Sequence, residues 1–93
     1  MDRRRFDHLV EQISLAARRG IPRYRLWLRL HELGWNPEHL TRHAVLAFCE
    51  RPLVDFLADR GLILRPHELR RIRRSVNRFD PAIPTPYERM AEL

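Results

Sequence analysis

Seven prolines and three glycines punctuate this chain of 93 residues, and no stretch longer than the nineteen residues before Gly20 is free of both. Proline fits the first turn of a helix but breaks its interior, and glycine suits the residue just past the last turn. A chain divided this way folds into several short elements. The apolar spacing says which kind. Phe6, Leu9, Val10, Ile13, Ala16 and Ala17 recur at i, i+3, i+4, i+7, i+10 and i+11, the mark of one helix face. Sustained period-two alternation occurs nowhere, so the expected class is all-α.

The punctuation predicts five helices. Asp2 is the expected N-cap of the first, and Gly20 its C′ residue. Pro22 opens a second helix, roughly 22–33, which Gly34 ends. Its wide apolar arc of Tyr24, Leu26, Trp27, Leu28, Leu30 and Leu33 marks it as the central helix. Asn36-Pro37-Glu38 joins a capping residue, proline at N1 and an acid in the first turn, predicting a third helix to about residue 50. Arg51-Pro52 breaks the path, because the residue before proline is pushed out of the α region. A short fourth helix follows over about 52–60, with Leu53, Phe56 and Leu57 inward, and Gly61 closes it. Leu62-Ile63-Leu64 reads as an apolar connector, extended like a strand. Pro66 opens a fifth helix through about Arg78, and Asp80-Pro81 ends it.

The expected fold is therefore a small single-domain bundle of about five short helices over residues 1–79, followed by a proline-rich extended arm over 80–93. Ile83, Tyr87 and Met90 equip that arm to cover the domain or to dock on another subunit. A hydrophobic share of 44% is enough for a modest core, but a chain this short builds only a small one. A complex subunit or a homo-oligomer fits such a chain. The single cysteine excludes an internal disulfide framework. With no secretory leader and no long apolar run, the expected location is cytoplasmic, with no membrane partner.

All eighteen basic residues are arginine. A GC-rich genome replaces lysine with arginine throughout, so the missing lysines carry no functional weight. Their placement does. Residues 18–30 hold five arginines and no acid, and residues 65–78 hold six arginines against Glu68, so each window carries +5 within a net +6. The guanidinium fork suits phosphate and carboxylate. In the fifth helix, Leu69, Ile72, Val76 and Phe79 fall within about 80° of one another, and arginines occupy the opposite side. His67, Arg71, Arg74 and Arg78 form a stripe at i, i+4, i+7 and i+11; Arg70 lies beside it and Arg73 at the flank. Like charges four residues apart, Arg70 with Arg74 and Arg74 with Arg78, destabilise a helix by a few tenths of a kcal/mol per pair. An anionic ligand relieves that repulsion.

The expected function is non-enzymatic nucleic-acid binding, to DNA or RNA, with Arg70, Arg71, Arg74 and Arg78 on phosphates. Four such contacts on duplex DNA give a slope of log K on log salt of roughly −3.6. The alternative is an adaptor, inhibitor or small subunit whose arginine ridge grips an acidic protein surface. A plain solvated face, paired across the fold with Glu50, Asp55 or Asp59, is the third reading. Arg25 and Arg29, near Tyr24 and Trp27, form a second candidate patch, since arginine interleaved with aromatics binds single strands by stacking. Core packing of Trp27 and an Arg29–Glu32 pair are the stronger account of that patch. Arg18 and Arg19 are explained by the negative end of the first helix.

Residues 53–63, Leu-Val-Asp-Phe-Leu-Ala-Asp-Arg-Gly-Leu-Ile, resemble the end of a recognition helix and the first wing strand of winged-helix regulators, and more loosely a helix-turn-helix. The resemblance implies that residues 53–60 enter the DNA groove. Asp55 and Asp59 would then face phosphate, and a proline-started helix stands where a glycine-rich wing belongs, so the fifth helix is the preferred face.

No catalytic residues and no cofactor are expected. There is no glycine-rich phosphate loop, no paired-carboxylate motif and no Ser/His/Asp pattern. His39 and His43 at i, i+4 would share a helix face, but Cys49 lies well around the helix from both, so no metal site is expected. Cys49, within Ala-Val-Leu-Ala-Phe-Cys, reads as a small core residue.

Overall fold

A computed structural model describes residues 3–82, so the expected cap Asp2 and the arm from Ile83 onward lie outside the described residues. The described chain is all-helical: α1 (Arg4–Ala17), α2 (Arg23–Glu32), a single 3₁₀ turn (Pro37–His39), α3 (Arg42–Phe48), α4 (Arg51–Ala58) and α5 (Pro66–Arg78). No strand occurs among the described residues. Leu62-Ile63-Leu64 has no regular structure; Leu62 and Leu64 are half-buried and Ile63 projects outward, 91% exposed.

The predicted faces of α1, α4 and α5 are the buried ones: Phe6, Leu9, Val10 and Ile13; Leu53, Phe56 and Leu57; Ile72 and Val76. Leu26, Leu30, Leu40, Val45 and Phe48 complete one contiguous core, with Leu69 half-buried against it. Each aliphatic or aromatic side chain so buried contributes roughly 1.5–3 kcal/mol. The core contains no buried polar or charged side chain among the described residues.

Four local details differ from the sequence expectation. The left-handed residue ending α1 is Arg18, at φ 58°, not Gly20. The Arg18 N–H donates to Leu15 O and the Arg19 N–H to Ser14 O, and the Ile21 N–H then bonds Ser14 Oγ at 3.3 Å. The turn is tied off two residues early, leaving Gly20 no left-handed role. Gly34, at φ 90°, does end α2 as expected.

The third helix is divided. Asn36 Oδ1 accepts from the Glu38 N–H at 3.0 Å and starts only the 3₁₀ turn. Leu40 is extended, and Thr41 Oγ1 accepts from the Ala44 N–H at 3.1 Å to start α3. Thr41 is a second N-cap, and it resets the helix axis. The break before α4 falls at Glu50, whose ψ is −125°, so Arg51 enters the helix and Pro52 occupies its first turn.

The central helix is α5 rather than α2. Leu26 and Leu30 are buried, but Tyr24 is 68% exposed and Leu33 41% exposed. α2 therefore covers the core at one edge, whereas α5 packs against α1 on one side and α3 on the other.

Candidate functional site

The α5 helix is held from three directions. Ile72 and Val76 point into the core. At its start, the Arg65 N–H donates to Glu68 Oε1 at 2.9 Å, satisfying one free amide of the first turn. At its far end, Phe79 stacks on His8 of α1 with ring centroids 4.3 Å apart. The Arg5 guanidinium donates to Phe79 O, and Ser75 Oγ lies 3.3 Å from His8 Nε2. These contacts run α1 and α5 antiparallel. Burial shifts the pKa of His8 downward, with Arg5 adding to the shift and Glu11 opposing it.

With that anchoring, Arg70, Arg71, Arg74 and Arg78 are all exposed, as is His67. None of the four guanidinium groups has a hydrogen bond or ion pair among the described residues. The nearby acids are engaged elsewhere. Glu50 accepts from Arg73 at 3.1 Å, Asp55 from Arg51 at 3.1 Å, and Asp59 from Arg29 at 3.1 Å. Asp7 pairs with Arg23. Pairing across the fold thus takes up Arg73, at the flank, but not the ridge. These pairs are exposed and each is worth at most about 1 kcal/mol.

Grooves flank the ridge on both sides. Toward α3 lies one of about 350 Å³, lined by Leu46, Arg70, Arg73, Arg74 and Asn77. Toward α1 lies one of about 440 Å³, where Leu15, Arg18, His67 and Arg71 meet Gln12, Ala16, Glu68 and Ile72. An adjoining hollow of about 270 Å³ adds Arg65 to Arg18, His67 and Glu68. The two basic windows of the sequence therefore meet in space, through Arg18 rather than through Arg25 or Arg29.

The second predicted patch is dispersed. Arg29 is shared between Asp59 and Glu32, the latter at 3.7 Å. Arg25 is exposed and lines neither groove beside α5. Trp27 packs partly on the core and against His31, with ring centroids 4.2 Å apart. Tyr24 and Trp27 line a separate hollow with Arg3, Phe6, Arg23 and Glu38.

The remaining chemistry-bearing residues do not converge. His39 lies in the 3₁₀ turn and His43 on α3, so the shared helix face expected of them does not form. No group of three His, Cys, Asp or Glu side chains could hold a metal ion among the described residues. Cys49 is buried, and burial pushes its thiol up to about 12 against an opposing pull from Arg73. No helix among the described residues is long and apolar enough to cross a membrane. The stretch resembling a winged helix forms α4, the Gly61 turn and the irregular Leu62–Leu64 link, with Asp55 and Asp59 both in ion pairs.

The sequence does not place Arg18 at this site, because only the packing of α1 on α5 brings it to the groove that Arg71 lines. The comparisons with known protein families, with curated proteins and with solved structures find no match.

Proposed function

We propose that this protein binds nucleic acid without chemistry of its own, holding the phosphate backbone on the outer face of α5. The observation that carries this reading is the set of four exposed arginines, Arg70, Arg71, Arg74 and Arg78, without an acidic partner among the described residues. Two like-charged i, i+4 pairs oppose helix formation, and of the four only Arg78, in the last turn, gains from the negative end of the helix. Nucleic-acid phosphate supplies a repeating line of charge that matches a straight arginine stripe.

The reading predicts binding that weakens steeply with salt, with a slope of log K on log salt of about −2.8 for a single strand or −3.6 for a duplex at four contacts. The test is retention of the purified protein on immobilised nucleic acid across a salt gradient, with and without nuclease treatment. Nuclease-sensitive, salt-labile retention is expected. Retention of an acidic protein instead, unaffected by nuclease, would replace this reading with an adaptor role for the same ridge.

A further inference from the structure

The groove between the end of α1 and the start of α5 differs from the ridge beside it. It is concave, holds about 440 Å³ and joins charged walls to apolar ones. We infer that it seats one unstacked nucleotide of a single-stranded nucleic acid whose backbone continues along the α5 ridge. This inference rests on the nucleic-acid reading and narrows it to single strands.

Three observations support it. The first is charge. Arg18, just past the end of α1, and Arg71 of α5 line the groove, and neither guanidinium has a partner among the described residues. Arg65 extends the cationic wall in the adjoining hollow. The one acid there, Glu68, has its carboxylate hydrogen-bonded to the Arg65 N–H. The charge complements a phosphate.

The second is the apolar lining. Leu15 is 65% exposed beside Ala16, over a groove that reaches Ile72. A duplex keeps its bases stacked inside and presents mainly phosphate to a basic wall, leaving such a surface unmatched. An unstacked base has a face to lay on it. Imidazole and guanidinium planes stack on bases as well, and His67, Arg18 and Arg71 bring both to the groove. The volume lies within the range of small-ligand sites.

The third is continuity. Arg71 belongs both to the groove and to the exposed stripe with Arg74 and Arg78. A strand with its base in the groove has its next phosphates beside the ridge. No second element is needed to guide it there.

The test compares fluorescence anisotropy of a labelled single-stranded oligonucleotide with that of the same sequence as a duplex, in ribo and deoxy forms. The wild type, Arg18→Gly, Leu15→Ser and Arg71→Glu/Arg74→Glu are titrated in parallel. Leu15→Ser changes no charge at an exposed site, and Arg18→Gly places glycine where the backbone is already left-handed, so both variants fold. The wild type is expected to bind the single strand about tenfold more tightly than the duplex, with Leu15→Ser and Arg18→Gly each losing about threefold to tenfold on the single strand. Leu15→Ser leaves duplex binding within about twofold. Equal binding of the two forms, or wild-type affinity in Leu15→Ser, overturns the groove and leaves the ridge standing. Absence of binding to every form overturns both.

Discussion

Arg18 adopts a left-handed backbone at φ 58°, a conformation that costs a non-glycine residue roughly 1–2 kcal/mol. Glycine there would remove that strain, lose about 0.5–1 kcal/mol to its freer unfolded chain, and forfeit a small attraction between the guanidinium and the end of α1. The net expectation for Arg18→Gly is a gain of about 0.5 kcal/mol, seen as a Tm rise of about 2–4 °C. A fall of several degrees would mean that the side chain supports the fold. Cys49 makes an independent check at this scale. A buried thiol raised to about 12 is almost wholly protonated at neutral pH, so a thiol-reactive probe should label the native protein only as fast as it unfolds. Stoichiometric labelling within seconds in buffer would contradict its burial. Cys49 was legible as a core residue because its neighbours are apolar. Arg18 was not, because a glycine stood two residues beyond it and the Ser14–Ile21 bond that closes the turn early is a tertiary detail.

Among the elements, α5 was the most legible. Pro66, the opposed apolar and cationic faces and the stop at Arg78 all follow from local rules, and the helix spans the predicted residues. The helix predicted from Asn36 was not, because two capping residues compete within six positions and Thr41 wins the second start. Propensity and pattern cannot weigh one cap against another; Leu40, between the two caps, is extended and buried. The surface of α5 yields a separable prediction. Reversing Arg71 and Arg74 to glutamate turns the Arg70/Arg74 and Arg74/Arg78 repulsions into attractions, but sets one new carboxylate, at position 71, three residues from both Glu68 and the new carboxylate at 74. These effects nearly cancel, so Tm should change by no more than the equivalent of about 0.5 kcal/mol. A large loss of stability would show the ridge to be structural rather than a binding surface.

At the scale of the whole molecule, the decisive arrangement is the antiparallel pairing of α1 and α5, which brings the two basic windows together. Nothing in the local sequence specifies that pairing. The wide apolar arc of α2 even points to the wrong central helix, because Tyr24 and Leu33 remain exposed. The seam between α1 and α5 carries its own pH dependence. The pKa of His8 is lowered in the fold, mainly by burial, so its neutral form is the one the fold accommodates. Stability from this site is fully present above the unfolded value of about 6.5 and is lost as pH falls from there through the lower folded value. Thermal unfolding should therefore shift down between about pH 7 and pH 5, and His8→Gln should flatten that part of the profile. Identical profiles for the two proteins would remove His8 from the account.

The proposed role of the exposed arginines of α5 is to hold nucleic-acid phosphate. The most direct measurement is the affinity of wild type and Arg71→Glu/Arg74→Glu for a labelled single-stranded oligonucleotide across a salt series. The wild type should show log K falling linearly with log salt at a slope of about −2.8, and the double variant should bind at least tenfold more weakly with a shallower slope. Salt-insensitive binding, or equal affinities and slopes for the two proteins, would contradict the claim.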